Sequence, residues 1–426
     1  MSLSPYHLGV VALCGILPAW SQTLTFNELL AKAEQNNQDV AAVRQRVEET
    51  KGALRQAGVR PAPTLDVGGV TGRVLGTAGE EQFSAGLSKT LETGNKRSRR
   101  IDVAETQVAL ATVEYQERVR QLRFELRLRY ADFAGESVRL AVLTQLMQAL
   151  QQSLDLTRAR VERGDAATLE ANLLLVELSR AEAQRATVLG RLGVAQTELR
   201  RLAGFSAAEG IAIDSSFAPA HSPPLRDELL ARALAERPDL QTMRLQQQQG
   251  DAEQRLAEAE GRANVTVSAS YGYVKSRFDD QFGVNARGAP VPLRDRDDIL
   301  SVGVSIPIFS KNRNQGNIEA SVARTRGALL RKEFLEKAIP LEIEAALRRV
   351  TASQNVADLL SGTATTQAES NLEVIRQAYQ LGQLRLFDVL NEQRRLLDTK
   401  LARADASSEV LRSWAELERV VGGELQ

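Results

Sequence analysis

The chain has little of what most catalytic or ligand-binding sites are built from. Among 426 residues there is one cysteine, Cys14, and there are two histidines, His7 and His221. No Cys/His cluster for zinc can be assembled from that set. A Ser/His/Asp triad would have to use His221, which lies in the proline-flanked stretch Ala218 to Leu225. No Gly-rich phosphate loop occurs, so a nucleotide cofactor has no recognisable seat. Aromatic residues are 4% of the chain, which argues against large aromatic cores and for long helices with narrow contact seams. Lys and Arg number 54 and Asp and Glu also 54, so no global basic field points to nucleic acid. Nothing approaches the 18 or so uninterrupted apolar residues of a transmembrane helix, so a membrane could be crossed only by strands closed into a barrel.

What is present begins with an export signal. Leu8 to Leu17 is an apolar run of signal-peptide length, and Ala19-Trp20-Ser21 is a small-x-small cleavage site. Residues 1–21 therefore read as a signal peptide, although Met1 to Gly9 carries no Lys or Arg. Leu13 occupies the position before Cys14 where a lipoprotein signal has a small residue. The mature chain, starting near Gln22, then contains no cysteine and suits an oxidising compartment without depending on it.

The mature chain repeats itself. Leu24-Thr25-Phe26-Asn27-Glu28-Leu29-Leu30-Ala31 returns 200 positions later as Pro224-Leu225-Arg226-Asp227-Glu228-Leu229-Leu230-Ala231. Asn37-Gln38-Asp39-Val40 returns as Arg237-Pro238-Asp239-Leu240 at the same offset. Phe83-Ser84-Ala85-Gly86-Leu87-Ser88 returns as Leu300-Ser301-Val302-Gly303-Val304-Ser305, now 217 positions on, so about 17 residues were inserted between the anchors. The reading is a first repeat over 22–215, a linker over 216–225 and a second repeat over 226–426.

Each repeat has one plan. Asn27 to Arg60 reads as a helix with Thr25 as N-cap and Pro61 and Pro63 beyond it. From Asn95 to Gly164 there is no proline, and apolar residues recur at three- and four-residue spacing (Val108, Ala111, Tyr115, Val119, Leu122, Leu126). Roughly 68 helical residues would run about 100 Å, a coiled-coil dimension rather than a globular one. Gly164 stops this helix and a second runs from Thr168 to Leu202, making a long antiparallel hairpin. The second repeat gives Asp227 to Arg262, Asn314 to Leu381 with a kink expected at Pro340, and Phe387 to Val421 after a turn at Gly382.

Between the helices the period changes to two. Thr64 to Val70, Gln82 to Leu87, Val265 to Tyr273 and Ser301 to Ile308 alternate apolar with small or polar residues, as half-buried or transmembrane strands do. Leu75 to Glu81 reads as a short loop and Lys275 to Asp298 as a long charged one. Taken singly, such segments also fit soluble hairpins lying on a helix. If they span a membrane, four strands cannot close a barrel, because about eight are the minimum. The chain would then have to oligomerise, and a trimer would give twelve strands.

Two motifs following the strand pairs, Leu91-Glu92-Thr93-Gly94-Asn95-Lys96-Arg97 and Ser305-Ile306-Pro307-Ile308-Phe309-Ser310-Lys311-Asn312-Arg313-Asn314-Gln315-Gly316-Asn317-Ile318, carry a resemblance. Along essentially its whole mature length the chain resembles the TolC-like outer membrane efflux proteins, and these motifs resemble the cobalt-zinc-cadmium resistance branch. Asn95 stands where that branch often has glycine. The resemblance implies a mainly α fold with a transmembrane β portion: a homotrimer whose twelve-stranded β-barrel crosses the outer membrane and whose α-barrel crosses the periplasm. It implies a periplasmic adaptor and an inner-membrane resistance-nodulation-division pump as partners, outer membrane lipid around the barrel, no nucleic acid and no cofactor. The tunnel would conduct cargo, divalent heavy-metal cations in that branch, without catalysing a reaction. A drug pump or a type I secretion system are alternative pump partners. A periplasmic adaptor and a soluble coiled-coil protein are the other function classes, each accounting less well for two helical hairpins with four strands.

The resemblance also nominates residues. Tyr379 matches a tyrosine that helps hold the family's periplasmic gate closed, and Asp388 matches the first of two acidic ring positions. Asn391 occupies the second ring position and Leu384 the gate-arginine position, with Arg385 adjacent, so the family's closed-state bonding cannot be copied intact. Glu170 stands in the first repeat where Asp388 stands in the second. Three Asp388 carboxylates around an axis would focus negative potential. Asp388 equally fits the acid of a helix N-terminus, and both roles are compatible. The turns at Gly164 and Gly382 are where the resemblance would place adaptor docking.

Overall fold

The computed structural model describes residues 23–72, 74, 80–206, 212–215, 223–308 and 313–425. The signal peptide with Cys14, most of the 216–225 linker with His221, the loop residues 75–79 and the motif residues 309–312 lie outside these.

The element order is β1 (Thr23–Leu24), α1 (Phe26–Asn36), α2 (Gln38–Ala57), β2 (Thr64–Thr71), β3 (Glu80–Leu91), α3 (Lys96–Glu162), α4 (Thr168–Leu202), β4 (Ala212–Ile213), α5 (Arg226–Glu236), α6 (Pro238–Glu260), β5 (Val265–Val284), β6 (Pro290–Ser305), α7 (Gln315–Leu359), a π-helical turn (Leu360–Ala364), α8 (Thr365–Gln380) and α9 (Leu386–Val421). Two compact units can be distinguished. One holds residues up to 38, 122–223 and 348–416. The other holds 39–121, 224–347 and 417–426.

Local chemistry accounts for most boundaries. Thr25 caps α1 in a complete capping box: its hydroxyl accepts from the Glu28 N–H while the Glu28 carboxylate accepts from the Thr25 N–H. The single helix expected over 27–60 is instead two, because Asn37 is extended (φ −67°, ψ 114°). The helix expected over 227–262 breaks at Arg237 (φ −60°, ψ 121°), where Pro238 disfavours the helical conformation of the residue before it. Both breaks serve as tethers. Asn37 donates from Nδ2 to the carbonyl of Leu202, the last residue of α4, at 2.9 Å. Arg237, buried to 5% exposure, donates to the carbonyl of Val420 near the end of α9 (3.2 Å), to Glu342 (2.6 Å) and to Asp239 (2.7 Å). In each repeat the residue between the first two helices ties down the end of the last one.

The long helix expected over 314–381 is divided in the second copy. α7 runs on through Pro340, and an irregularity that was not expected lies at Leu360–Ala364, where the turn is π-helical. The Thr365 hydroxyl donates to the Leu360 carbonyl at 2.6 Å, satisfying an acceptor that the wider turn leaves without its α-helical partner. Asn95 (φ 58°) and Asn314 (φ 69°) precede α3 and α7 in the left-handed region, which asparagine enters more easily than most side chains. An asparagine at the position where the resembled branch often has glycine is therefore compatible with the turn.

The strands form one antiparallel sheet, order β2-β3-β5-β6, in which β3 pairs with β5 and joins the two repeats. The segment expected as a long charged loop is mostly strand. β5 and β6 extend to Val284 and Pro290, leaving a short turn in which Asn285 accepts from the N–H groups of Arg287 and Ala289. Directly paired residues share a face. One face carries Leu65, Leu87, Ala269 and Val302 in one row and Val67, Ala85, Tyr271 and Leu300 in the next. The other carries Asp66, Gly86, Ser270 and Ser301, then Gly68, Ser84, Gly272 and Ile299. The apolar face is open: Leu65 is 71% exposed and Val302 74%. In the sheet β2 and β6 each pair with a single neighbour.

Candidate functional site

The two long helical hairpins end in turns of the same construction. At the first, Gly164 adopts φ +80°, its N–H bonds the Val161 carbonyl at 2.9 Å, and Asp165 N–H bonds the Arg160 carbonyl at 2.8 Å. At the second, Gly382 adopts φ +73°, bonding the Tyr379 carbonyl at 3.0 Å, while Gln383 N–H bonds Ala378 at 2.9 Å. This is the Schellman arrangement, and glycine fits it because the left-handed conformation carries no Cβ penalty there. A Cβ at either glycine would meet nothing within 4 Å, so both turn tips face open space.

Below the turns the hairpins pack on each other. Leu150 and Leu154 of α3, Ala171, Leu174 and Leu178 of α4, and Leu386 and Leu390 of α9 form a buried cluster, with Val161 and Tyr379 packed against it. Tyr379, in the last turn of α8, donates its phenol to Glu170 Oε2 at 2.8 Å. Arg160, in the last turn of α3, reaches the same phenol oxygen at 3.5 Å and places its guanidinium 5.8 Å from the Tyr379 ring centre. Burial, and then the Glu170 carboxylate, push the phenol pKa above its ordinary value, with Arg160 opposing. The hydroxyl therefore stays a donor throughout the physiological range. Further along, Arg394 of α9 bonds Glu177 of α4, and this partner raises the guanidinium pKa.

The sequence-nominated residues divide into two groups. Tyr379 and Glu170 meet, joining hairpin to hairpin. Asp388 turns back onto its own helix: its carboxylate accepts from the Arg385 backbone N–H at 3.0 Å, while Asp388 N–H bonds the Arg385 carbonyl. Of the two roles open to it, this contact is the helix N-terminal one. Arg385 contributes through its backbone, its side chain being exposed, and Asn391 lies half-buried on the following turn of α9. Arg160 and the Glu177–Arg394 pair were not nominated. Arg160 had one local signal, a basic residue four positions before a C-terminal glycine. The ion pair had none.

Among the described residues, no group of three or more His, Cys, Asp or Glu side chains is placed to hold a metal ion, and no helix is long and apolar enough to cross a membrane. The crevice beside Glu177 and Arg394 has a volume of about 180 Å³, below the size of ordinary ligand pockets. The site is a contact between two helical hairpins.

The family model for outer membrane efflux proteins matches residues 29–205 and again 229–423. The chain belongs to the outer membrane efflux protein family. It is accordingly an outer membrane protein with a long periplasmic portion, and a channel component rather than an enzyme. It is 25% identical over 415 residues to the cobalt-zinc-cadmium resistance protein CzcC of Cupriavidus metallidurans, covering 94% of this chain and 90% of that one. It is 24% identical to the cation efflux system protein CusC of Escherichia coli, covering 88% and 82%. The crystal structure of the outer membrane protein VceC from Vibrio cholerae superposes with a TM-score of 0.69 at 19% identity, covering 93% of this chain and 96% of that one.

Proposed function

We propose that three copies of this chain form the outer membrane tunnel of a tripartite efflux system. The tunnel passively conducts divalent heavy-metal cations handed on by an inner-membrane pump through a periplasmic adaptor. The observation that carries this reading is the sheet. Its four strands have one open, mainly apolar face and one face richer in Gly, Ser and Thr, and each edge strand pairs with a single neighbour among the described residues. An isolated sheet of that kind is unstable in water and in lipid alike, because its edge N–H and C=O groups need partners. Pairing β6 of one copy with β2 of the next satisfies both edges, and three copies give twelve strands with the apolar face toward lipid.

The metal cargo rests on relatives named for cobalt, zinc, cadmium and cation resistance. In the tunnel the Tyr379–Glu170 contact, with Arg160 behind it, acts as the latch of the periplasmic gate. It joins the hairpin of one repeat to that of the other, and separating the two hairpins breaks it. The open tips at Gly164 and Gly382, beside exposed Leu169, Leu381 and Phe387, are where the adaptor docks.

Deleting the gene tests the cargo: sensitivity to zinc, cobalt, cadmium or nickel should rise, with drug sensitivity unchanged. Membrane fractionation tests the channel. Heat-resistant trimers in the outer membrane are expected, and soluble periplasmic monomers would refute the reading.

A further inference from the structure

The charged run Arg294-Asp295-Arg296-Asp297-Asp298 lies in β6, where alternation sorts its charges by face. Arg294 and Arg296 fall on the side of the apolar rows, Asp295 and Asp297 on the Gly/Ser/Thr side. The pairing of the bases is unusual. Lys275 is registered opposite Arg296, and the register position opposite Arg294 is Arg277. Like charges directly opposite in a ladder are destabilising. Asp295 and Asp297 stand opposite Ser276 and Val274, while Asp298 stands opposite Tyr273 on the basic face. On this face Lys275, Arg294 and Arg296 outnumber the acids Asp298, of the same strand, and Glu81, opposite Lys275, leaving an excess of positive charge that an anion would relieve.

The surroundings specify the anion. Next to the basic rows comes an aromatic layer of Phe83, Tyr273 and Tyr271, with the Phe83 and Tyr273 rings 5.9 Å apart. Beyond it lie the aliphatic rows that contain Leu87, Val302, Val267 and Val304. From Val265 to Tyr273 the apolar stretch has the length of a membrane-crossing strand. Arg296 is held in place by Asp298 at 3.1 Å, which also accepts from the Tyr271 hydroxyl at 2.6 Å, and its guanidinium lies 5.1 Å from the Tyr273 ring centre. A guanidinium has five N–H donors, so Arg296 keeps free ones. Lys275 is only 3.9 Å from Glu81 and half-exposed, and Arg294 is exposed with no ion pair among the described residues.

We propose that this patch binds the phosphate groups of a phosphorylated lipid in the outer leaflet, whose acyl chains lie along the aliphatic rows. Arg294 and Arg296 carry the contact, with Lys275 beside them. The proposal rests on reading the sheet as a barrel wall with its apolar face in lipid.

Native mass spectrometry of the purified assembly tests it, using a phosphorylated glucosamine-based lipid and its dephosphorylated counterpart as probes. The wild type should retain the phosphorylated probe only. R294Q/R296Q should bind it roughly 25-fold more weakly, at about fivefold per charge removed. D295N/D297N, altered on the opposite face, should bind as the wild type does. Equal retention of both probes, or undiminished binding by R294Q/R296Q, would overturn the proposal. Should the double variant fail to assemble, R294Q alone gives the reading, because Arg294 has no ion pair among the described residues: a loss of about fivefold supports the proposal, and no loss overturns it. A protein absent from the outer membrane would overturn the tunnel reading itself. A conducting trimer that ignores lipid phosphate would overturn only this inference.

Discussion

Replacing Tyr379 with Phe removes one hydroxyl and leaves the ring. The ring still packs on the Leu150–Leu174–Leu390 cluster and still faces Arg160, so little besides the hydrogen bond to Glu170 is lost. A hydrogen bond to a charged acceptor contributes about 1.5–3 kcal/mol when well shielded. This one is half-exposed, which lowers the figure to about 1 kcal/mol per subunit. If the three hairpin pairs of the proposed trimer open together, the closed state loses about 3 kcal/mol, and the open-to-closed ratio rises by roughly 150-fold. Single-channel recording in planar bilayers reads this directly as open probability. Glu170→Gln keeps an acceptor but loses the charge, and should produce a smaller increase. The double variant should open no more readily than Tyr379→Phe alone, since both changes remove the same contact. An unchanged open probability for Tyr379→Phe, or strictly additive effects in the double variant, would refute the latch.

Other outcomes follow from the same geometry. Asp388→Asn should weaken the N-terminal contact of α9 by about 0.5–1 kcal/mol and reduce cation preference in single-channel recordings, and unchanged selectivity would remove Asp388 from the conduction path. Gly204→Ala should lower the thermal midpoint: Gly204 has φ +73°, which strains an L-residue by about 1–3 kcal/mol, and its Cβ would lie 2.6 Å from the Asn36 carbonyl oxygen. Burial alone would raise the Asp239 pKa, but the Arg237 hydrogen bond and charge outweigh it and depress the value. A depressed carboxyl contributes stability above its unfolded pKa and loses it as pH falls through the folded one. Acid denaturation curves should therefore show a loss below the ordinary aspartate range that Asp239→Asn abolishes.

The helices could be read from sequence where punctuation was strong. Thr168–Leu202 matches the expected span because Gly164 and the following short residues mark both the stop and the start. The breaks at Asn37 and Arg237 were not read. Hydrophobic periodicity passes through a one-residue interruption almost unchanged, and Pro238 looks like an ordinary first-turn proline. The outer halves of β5 and β6 were hidden for another reason. The outer part of β6 alternates in charge sign and that of β5 is rich in charged and polar residues, so they resemble a solvated loop until pairing fixes the register. Tyr379 was nominated from a family position and Glu170 as the first-repeat counterpart of Asp388, yet nothing local says that they touch across 209 residues of chain. Arg160 entered only with the fold, since its partner lies 219 residues away.

Glu170 and Asp388 began as equivalents, each the third residue of the helix after a Schellman turn, and they have parted ways. Asp388 looks after its own helix, while Glu170 has turned to the neighbouring hairpin. The other half of the pair diverged in step: where the second repeat has Tyr379, the first has Val161. A bolt was kept in one duplicate and a strike plate in the other. Neither duplicate can fasten to a second copy of itself in this way. In the proposed trimer the bolt and its plate would therefore occur three times around the ring, not six.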